Sequence, residues 1–387
     1  MTNHDATSPL ADHWLRIDVD TAALRSNMAA FASLVRPPAR LMAVVKADGY
    51  GHGLEIAARA FLAGGATWLG VHSLPEAERL RTAGVTAPVL VLGPATTAEA
   101  ARAADLDCDL TVGSLAALAD AVAAGRGRLH LKVETGVNRQ GIVEGELDAA
   151  MALLAGAPQV RLAGLSSHFA DIEDTTDHRY ARRQRQRFDA WDAALAGCGH
   201  QDLIRHMSCS ASTLLWGESH RDMVRVGIAA YGLWPSRETR VSARASGRED
   251  LPLRPAVTWS VRVSQVREVP AGDTVGYGRT WLAADDSRVA VLPVGYADGY
   301  PRALSSRAHV LLHGRRAPIC GRVCMNLCMV DVSRIPGVAA GDRAVLLGGQ
   351  GDDAITAEQM ADWLGTINYE VLTLPGTTWR RVETPHV

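Results

Sequence analysis

Short β-rich runs alternate with helix-like segments between residues 41 and 232 of this 387-residue chain. The predicted strands are 41–48, 68–73, 88–93, 106–113, 128–135, 160–169, 202–210 and 223–232. Segments between them, such as LAALADAVAAG, space their apolar residues as helices that pack outside a sheet. The alternation predicts a parallel sheet. Eight units favour a (β/α)8 barrel over an open doubly wound sheet, because no G-x-G-x-x-G motif follows the first strand.

After Pro235 the pattern changes, and the polar stretch 236–255 predicts a linker or an excursion between domains. From residue 256 onward, strands are separated by Gly, Pro and Asp turns, with one helix expected near TAEQMADWLG. We predict an α/β chain, an N-terminal (β/α)8 barrel (21–240) followed by a mostly β C-terminal domain (241–387). Residues 1–20 are expected to join the β domain, because their strand precedes the barrel alternation.

The composition restricts the class of protein. Hydrophobic residues make up 47% and charged residues 21%, as in a globular protein with a large core. With a formal net charge of −2, no positive excess favours nucleic acid or an anionic membrane. Arginines surround the predicted helix at 177–191, which indicates a solvated helix. No run reaches the ~20 apolar residues of a membrane span, and the N-terminus lacks signal-peptide features, so we expect a cytoplasmic protein.

Six cysteines are too few for a disulfide framework, which favours a reducing compartment. Cys320, Cys324 and Cys328 recur every four residues, but the paired short spacings of a zinc site are missing. We interpret them as small buried hydrophobes and predict no metal.

The segment AVVKADGYGHG contains the most informative single residue, Lys46, at the end of the first barrel strand. Barrel enzymes carry their catalytic groups at this end of the strands. An amine among apolar neighbours and cations has a lowered pKa and can form a Schiff base with a carbonyl, including the aldehyde of pyridoxal phosphate. A surface lysine that ends a strand is the alternative, and the spacing alone leaves both open.

AVVKADGYGHG resembles the cofactor-lysine motif of the alanine racemases, pyridoxal-phosphate enzymes with an N-terminal barrel and a C-terminal β domain. Further segments match in order: LKVETGVNRQG, SSHFAD, RHMSCSAS, MVRVGIAAYGL, VGYGRTW, VGYADGYPR, CGRVCMNLCMVDV and TINYEVLT. The resemblance covers roughly residues 14–375, and an ordered set of motifs is far more specific than any one of them.

The resemblance implies that Lys46 is the Schiff-base lysine. It also implies that the cofactor phosphate is held by Tyr50, Ser210 and the backbone N–H groups of Gly227 and Ile228. A small dianion needs such hydroxyl and N–H donors at turns and helix starts, which agrees with this assignment. Taken alone, Ser210 is more typical of a helix N-cap, and only the ordered set of motifs favours the phosphate ligand.

Arg225 resembles the arginine that donates a hydrogen bond to the pyridine nitrogen of the cofactor. Because arginine keeps its proton, that nitrogen would stay unprotonated, which favours simple proton exchange. An arginine paired with a barrel carboxylate is the alternative. The resemblance further implies that His168 stacks on the cofactor ring and that Arg139 lies near its phenolic oxygen. Lys132 occupies the position where some members carry a carbamylated lysine.

Tyr277 resembles the second catalytic base of the family. Racemisation moves a proton from one face of Cα to the other, so two groups must flank the substrate, here Lys46 and Tyr277. A tyrosine ionises near pH 10 and needs a hydrogen-bonding neighbour, expected to be His168 in preference to His206. In the family this tyrosine reaches the lysine of the other subunit, which implies a head-to-tail homodimer with shared sites.

The substrate is expected to be a small amino acid. By resemblance, Met325 directs a backbone N–H toward its carboxylate, and Tyr296 and Tyr300 belong to the entrance. Asn326 stands where most alanine racemases carry Asp, and serine or broad-spectrum racemases often have Asn there. Glu134 likewise replaces an Asp of the family's Asp-Thr-Gly-Met run, which could shift the nearby arginine.

Three functions stay open on the sequence alone. The first is an alanine racemase that supplies D-alanine for peptidoglycan, and the second is a serine-preferring or broad-spectrum amino-acid racemase. The third is a non-catalytic pyridoxal-phosphate carrier, which the second domain with Tyr277 disfavours. Decarboxylases with the same barrel are disfavoured because the tyrosine motif is present.

Overall fold

A computed structural model describes residues 13–247, 251–376 and 378–384. The chain divides into two compact units, Thr21–Pro255 and the described parts of Met1–Asp20 with Ala256–Val387. The N-terminal segment in which we predicted no signal peptide, and the outermost parts of the predicted β domain, lie outside the described residues. The predicted domain limits at 20 and 240 remain a prediction.

Strand β1 (Leu15–Asp20) runs directly into α1 (Thr21–Leu34), which begins the larger unit. This unit contains eight parallel strands: β2 (Arg40–Val44), β3 (Trp68–Val71), β4 (Val89–Val91), β5 (Cys108–Val112), β6 (Gly127–Lys132), β7 (Val160–Ser166), β8 (Ile204–His206) and β9 (Met223–Val226). Their order in the sheet is β8-β7-β6-β5-β4-β3-β2-β9.

Two backbone hydrogen bonds connect the edge strands of this sheet. The N–H of Asp222 donates to the carbonyl of Arg205 at 3.1 Å, and the N–H of Arg225 donates to the carbonyl of Ser208 at 3.0 Å. The sheet is therefore a nearly closed barrel, and the predicted (β/α)8 fold is confirmed.

The helices of this unit after α1 are α2 (Lys46–Tyr50), α3 (Leu54–Ala63), α4 (Leu74–Thr82), α5 (Thr97–Asp105), α6 (Leu115–Ala123), α7 (Leu147–Ala155), α8 (Arg179–Gly197), α9 (Ser210–Leu215) and α10 (Arg237–Ala245). In α8, Ala181, Phe188, Trp191 and Leu195 are buried while most of its arginines are solvated. The short α2 is irregular and belongs to the candidate site described below.

The smaller unit is mostly β. Its strands after β1 are β10 (Val257–Arg262), β11 (Gln265–Val269), β12 (Thr274–Val275), β13 (Trp281–Leu282), β14 (Ser287–Leu292), β15 (His309–Leu312), β16 (Arg315–Pro318), β17 (Cys328–Asp331), β18 (Arg343–Gln350), β19 (Asp353–Ile355) and β20 (Arg380–Thr384). The main sheet has the order β16-β15-β18-β10-β1-β20, with β19 paired to β18. Two smaller sheets, β11-β14-β17 and β12-β13, complete the unit.

In this unit β1 is antiparallel to β10 and parallel to β20, with Ile17 opposite Trp259 and Arg381. Two helices, α11 (Ala357–Leu364) and α12 (Asn368–Thr373), follow β19. The first of them was predicted. The second was not, because its six residues are too few for a periodic pattern.

The linker prediction for residues 236–255 is wrong in its first half. Residues 237–245 form α10, which begins where the Ser236 hydroxyl accepts a hydrogen bond from the N–H of Thr239 at 2.8 Å. Thr239 and Ala243 are buried against the barrel unit. The segment looked like a linker because most of its other positions are polar, and two buried small residues give a weak periodic signal.

Within the described residues, no helix has the length and apolar character needed to cross a membrane. The same residues contain no group of three or more His, Cys, Asp or Glu side chains placed to hold a metal ion.

Candidate active site

Ionisable side chains collect at the carboxyl ends of the barrel strands. Lys46 follows β2, Lys132 ends β6, His168 follows β7, Ser210 follows β8 and Arg225 lies in β9. Barrel enzymes build their sites at this edge from several strands. The barrel therefore brings together residues that lie as much as 179 positions apart in the chain (46 to 225).

Lys46 opens a turn with left-handed backbone. Ala47, Asp48 and Tyr50 have φ angles of 54°, 52° and 49°, which side chains with a Cβ rarely adopt. The carboxylate of Asp48 accepts hydrogen bonds from the N–H of Leu54 at 3.1 Å and from Arg79 at 2.9 Å. These bonds fix a strained turn that carries both Lys46 and Tyr50, which is why the predicted strand 41–48 already ends at Val44.

Two amines of the site are easier to deprotonate than free lysine. Burial and the charges of Arg139 and Arg225 lower the pKa of Lys46, although Glu76 opposes them. Burial, Arg139 and Arg225 also lower the pKa of Lys132 to about 8. The uncharged amine is the form that reacts with a carbonyl, and the lowered pKa values increase its fraction at both lysines.

Tyr50, Ser210 and Gly227 form a small polar cradle. The Ser210 hydroxyl accepts a hydrogen bond from the N–H of Gly227 at 3.0 Å. A Cβ added to Gly227 would lie 2.6 Å from the Tyr50 hydroxyl, so only glycine leaves this space open. Burial raises the pKa of Tyr50, which keeps its phenol as a hydrogen-bond donor.

The N-cap of α9 is Cys209, so the N-cap alternative for Ser210 is wrong. Ile228, the other predicted phosphate ligand, begins a 3₁₀ turn over Ile228–Tyr231 directly after Gly227. The cradle therefore combines two hydroxyls with backbone at the start of a turn, a donor set that fits a small dianion.

Arg225 is buried, and five acceptor atoms lie within hydrogen-bonding distance of its guanidinium group. Its Nη1 donates to Nδ1 of His206 at 2.6 Å and to the carbonyl of His206 at 2.9 Å. Its Nη2 donates to the carbonyl of Ser167 at 2.8 Å and of Met207 at 3.3 Å, and to Nδ1 of His168 at 3.2 Å. Burial lowers the pKa of Arg225 to about 10, so it remains charged at neutral pH.

No carboxylate is an ion-pair partner of Arg225 within the described part of the chain, so the alternative of an arginine paired with a barrel carboxylate is wrong. Burial, followed by the charges of Arg225 and Arg139, lowers the pKa of His168 well below its usual value. His168 is therefore a neutral imidazole whose Nδ1 accepts from Arg225. Both ring nitrogens of His206 are engaged inside the barrel, by Arg225 and by His130.

Arg139 is exposed and lies in the loop after β6. Glu134, the residue that departs from the family's sequence pattern, lies at the start of this loop, and its carboxylate accepts a hydrogen bond from the N–H of Gly136. Burial alone would raise the pKa of Glu134, but the backbone N–H groups of residues 136–139 lower it. Nearby, Lys132 donates to Oε1 of Gln140 at 3.2 Å.

The remaining predicted residues lie in the smaller unit. Tyr277 is 73% exposed in a 3₁₀ turn, and Met325 is 57% exposed. The N–H of Tyr296, also exposed, donates to the carbonyl of Cys324 at 3.1 Å. Asn326 donates its side-chain N–H to Oδ2 of Asp298 at 3.1 Å.

Tyr300 does not share this exposed surface. Its ring is completely buried, so its expected place at an entrance is wrong. The spacing Y-A-D-G-Y hid the difference, because Gly299 with φ of +87° turns the chain between the two tyrosines.

Sequence comparison assigns both units to one family. The alanine racemase N-terminal domain matches residues 19–235, and the alanine racemase C-terminal domain matches residues 256–383. The chain belongs to the alanine racemase family. The alanine racemase of Desulfosudis oleivorans is 42% identical over 378 residues, covering 93% of each chain, and that of Desulfovibrio desulfuricans is 41% identical over 371 residues, covering 94% of this chain and 96% of the other.

Solved structures of alanine racemases agree with the fold. The enzyme from Bacillus anthracis, determined with bound L-Ala-P, aligns with a TM-score of 0.88 at 34% identity, covering 94% of this chain and 93% of that one. The alanine racemase of Streptomyces coelicolor A3(2) also aligns with a TM-score of 0.88 at 34% identity, covering 96% and 98%.

Two buried residues were missed by sequence reasoning in this member of the alanine racemase family. Asp109 and His130 lie inside the barrel and connect to His206 by hydrogen bonds. The available signal was a charged residue within a β-rich run, LDCDLTV, since a buried carboxylate always needs a partner.

Proposed function

We propose that this protein is an amino-acid racemase that interconverts L- and D-alanine with pyridoxal phosphate as cofactor. The observation that carries the proposal is the combination at one barrel edge of Lys46, whose pKa is lowered, with the cradle of Tyr50, Ser210 and Gly227. Membership in the alanine racemase family supports the same reaction.

The residues present fit the cofactor. Lys46 would hold it covalently, the cradle with Ile228 would hold its phosphate, and His168 would lie against its ring. Bound pyridoxal phosphate supplies an electron sink that acidifies the Cα–H bond of an attached amino acid. The cationic groups Arg139 and Arg225 would face its phenolic oxygen and ring nitrogen. Because Arg225 only donates hydrogen bonds, it limits the strength of that sink and favours proton return over other outcomes.

Two bases are needed for inversion at Cα. Lys46 would serve one face with its amine, and Tyr277 would serve the other with its phenol. We propose that Tyr277 comes from a second copy of the chain, in a head-to-tail homodimer. The exposure of the large side chains of Tyr277, Tyr296 and Met325 in the smaller unit supports this, because an interface between two copies would cover such side chains.

The arrangement of histidines favours His168 as the partner of Tyr277. His206 would lose a buried hydrogen bond if either of its ring nitrogens turned to another group. His168 has a hydrogen bond to Arg225 at Nδ1 only, so its Nε2–H is the available donor within the described residues.

Alanine is the proposed substrate, with its carboxylate held by Arg139 of one copy of the chain and by the backbone N–H of Met325 from the second copy. A serine-preferring or broad-spectrum racemase is the second candidate, and Asn326 is the observation that favours it. Since its N–H donates to Asp298, its amide oxygen is the acceptor left for a substrate hydroxyl.

We further propose that the enzyme supplies D-alanine for peptidoglycan in the cytoplasm. The free cysteines of the described residues, including the exposed Cys198, support a reducing compartment. We also propose that Lys132 carries a carbamate that pairs with Arg139, since its lowered pKa favours the neutral amine that reacts with carbon dioxide.

The test is to incubate the purified protein, loaded with pyridoxal phosphate, with L- and D-alanine and L- and D-serine in deuterated water. Optical inversion and deuterium incorporation at Cα are followed together. We expect both for alanine, at rates well above those for serine. Equal or reversed rates would favour the broad-spectrum alternative, and the absence of exchange with every substrate would refute the racemase proposal.

A further inference from the structure

A buried chain of hydrogen bonds runs through the barrel from Arg225 to Asp109. Nδ1 of His206 lies 2.6 Å from Arg225, Nε2 of His206 lies 2.7 Å from Nδ1 of His130, and Nε2 of His130 lies 3.1 Å from Oδ2 of Asp109. Both imidazoles and the carboxylate are at most 2% exposed. Buried polar networks of this kind are stable only when every member is satisfied.

Only one arrangement of protons satisfies the whole chain. Arg225 can only donate, so Nδ1 of His206 must accept, and a neutral imidazole then carries its proton on Nε2. That proton is donated to Nδ1 of His130, which leaves the proton of His130 on Nε2, facing the carboxylate of Asp109. Burial, Arg225 and His130 lower the pKa of His206, in agreement with a neutral ring.

Local features of strands β6 and β7 leave space for the ring of His130. His130 follows an irregularity in the pairing of β6 with β7, and such bulges commonly redirect a side chain next to a functional site. A Cβ on Gly164, the residue paired with His130, would lie 2.3 Å from Nδ1 of His130. At the far end, Arg128 donates its Nε–H to Oδ1 of Asp109 at 2.6 Å, so each carboxylate oxygen accepts one bond.

We propose that Asp109 and His130 are positioning residues that fix the tautomer of His206 and thereby hold the guanidinium of Arg225 in place. The inference rests on the proposed function, in which Arg225 faces the ring nitrogen of the cofactor. Without Asp109, the two histidines can carry their protons on Nδ1 instead. His206 would then present an N–H to the N–H of Arg225 at 2.6 Å, and one of the two would have to move.

Asp109→Asn is the sharpest perturbation because it changes one oxygen to NH₂ with little change in shape. Arg128 can only donate, so the remaining amide oxygen turns to Arg128 and the NH₂ group faces His130. His130 must then accept at Nε2 and donate from Nδ1, which reverses the chain up to Arg225. The matched control is Asp107→Asn, because Asp107 also pairs with Arg128, at 2.7 Å, but is exposed and outside the chain.

The first measurement is ¹⁵N NMR of the imidazole nitrogens at neutral pH, in the protein without cofactor. The protein has 13 histidines, so the signals of His130 and His206 are assigned by their loss in His130→Gln and His206→Gln. We expect both rings to be neutral with the proton on Nε2 in the wild type and in Asp107→Asn, and on Nδ1 in Asp109→Asn. Wild-type rings that are charged or protonated on Nδ1 would overturn the inference, even if Asp109→Asn does not fold.

The second measurement is racemisation by the loaded enzyme. In Asp109→Asn we expect kcat to fall about 10- to 100-fold, the range found when metal-binding histidines lose their outer hydrogen-bond partners, with a smaller change in KM. His130→Gln, which can accept from His206 and donate to Asp109, should retain far more activity than the similarly sized His130→Leu. Equal activities of these two variants, or wild-type kcat in Asp109→Asn, would refute the positioning role.

The two readouts separate this inference from the proposed function. If the wild type has the expected tautomers but neither binds pyridoxal phosphate nor exchanges the Cα proton, the proposed function fails. The hydrogen bonds from Arg225 to Asp109 then have a structural role only. If the wild type racemises alanine but Asp109→Asn leaves tautomers and kcat unchanged, the inference alone fails.

Discussion

Gly227→Ala tests the phosphate cradle directly. The new Cβ would lie 2.6 Å from the hydroxyl oxygen of Tyr50. The hydroxyl would have to move until this distance is at least 3.0–3.4 Å, which is still a tight contact. Tyr50 cannot yield easily, because its ring is buried and stacked on Tyr231 with the ring centres 4.8 Å apart. Overpacking of this kind costs about 1–3 kcal/mol. For a unit of this size we expect a fall in Tm of about 2–4 °C per kcal/mol.

Cofactor affinity should fall as well as stability. Loss of a hydrogen bond to a charged group costs about 1.5–3 kcal/mol, and at 1.4 kcal/mol per factor of ten this weakens binding about 10- to 150-fold. The assay is a titration with pyridoxal phosphate and, separately, with pyridoxal, in a Lys46→Ala background so that only noncovalent binding is compared. We expect weaker binding of pyridoxal phosphate and little change for pyridoxal.

The control for this prediction is Gly197→Ala, at the end of α8, where an added Cβ meets nothing within 4 Å. It should bind both ligands as the parent does, with unchanged or slightly higher Tm. If Gly227→Ala weakens pyridoxal as much as pyridoxal phosphate, or weakens neither, the three residues do not form a phosphate cradle.

Three further outcomes are expected. Lys46→Ala should lose the absorbance of the covalently bound cofactor. Tyr277→Phe should keep this absorbance but lose turnover, mainly from the L-enantiomer. Racemisation by Tyr277→Phe at the wild-type rate would show that the second base is another group. Carbamylation of Lys132, measured by ¹³C NMR with labelled bicarbonate, should increase as the pH rises from 7 to 9, because deprotonation near pH 8 supplies the reactive amine. A carbamate signal that does not change with pH, or that is equally strong in Lys132→Ala, would contradict this prediction. Ala47→Gly should raise Tm slightly, because relief of about 1–2 kcal/mol of left-handed strain exceeds the ~0.5–1 kcal/mol entropy cost of glycine; a clear fall in Tm in a thermal melt would mean that the turn is not strained.

Much of the fold was predictable because it depends on local patterns. All eight barrel strands were located by their β-branched and aliphatic runs, although β2, β8 and β9 end several residues earlier than predicted. Their ends were missed because Lys46, Ser210 and Ile228 enter turns or helices that long-range contacts impose. The helix α10 was missed because its two buried residues, Thr239 and Ala243, are small and become buried only when the barrel is assembled.

The candidate residues followed from ordered motifs, and their roles remain predictions. Their electrostatics did not follow from the sequence. The lowered pKa values of Lys46 and Lys132 come from burial and from Arg139 and Arg225, which lie far away in the sequence. The buried state of Tyr300 and the engagement of both nitrogens of His206 were likewise decided by packing.

The sequence by itself determined the (β/α)8 alternation, the β-rich C-terminal unit and the family, because periodicity and motif order are properties of neighbouring residues. The tertiary structure alone decided the cradle around Gly227, the left-handed turn after Lys46 and the hydrogen-bond chain from Arg225 to Asp109. Each of these depends on atoms that approach within about hydrogen-bond distance after closure of the barrel, and no local pattern encodes such distances.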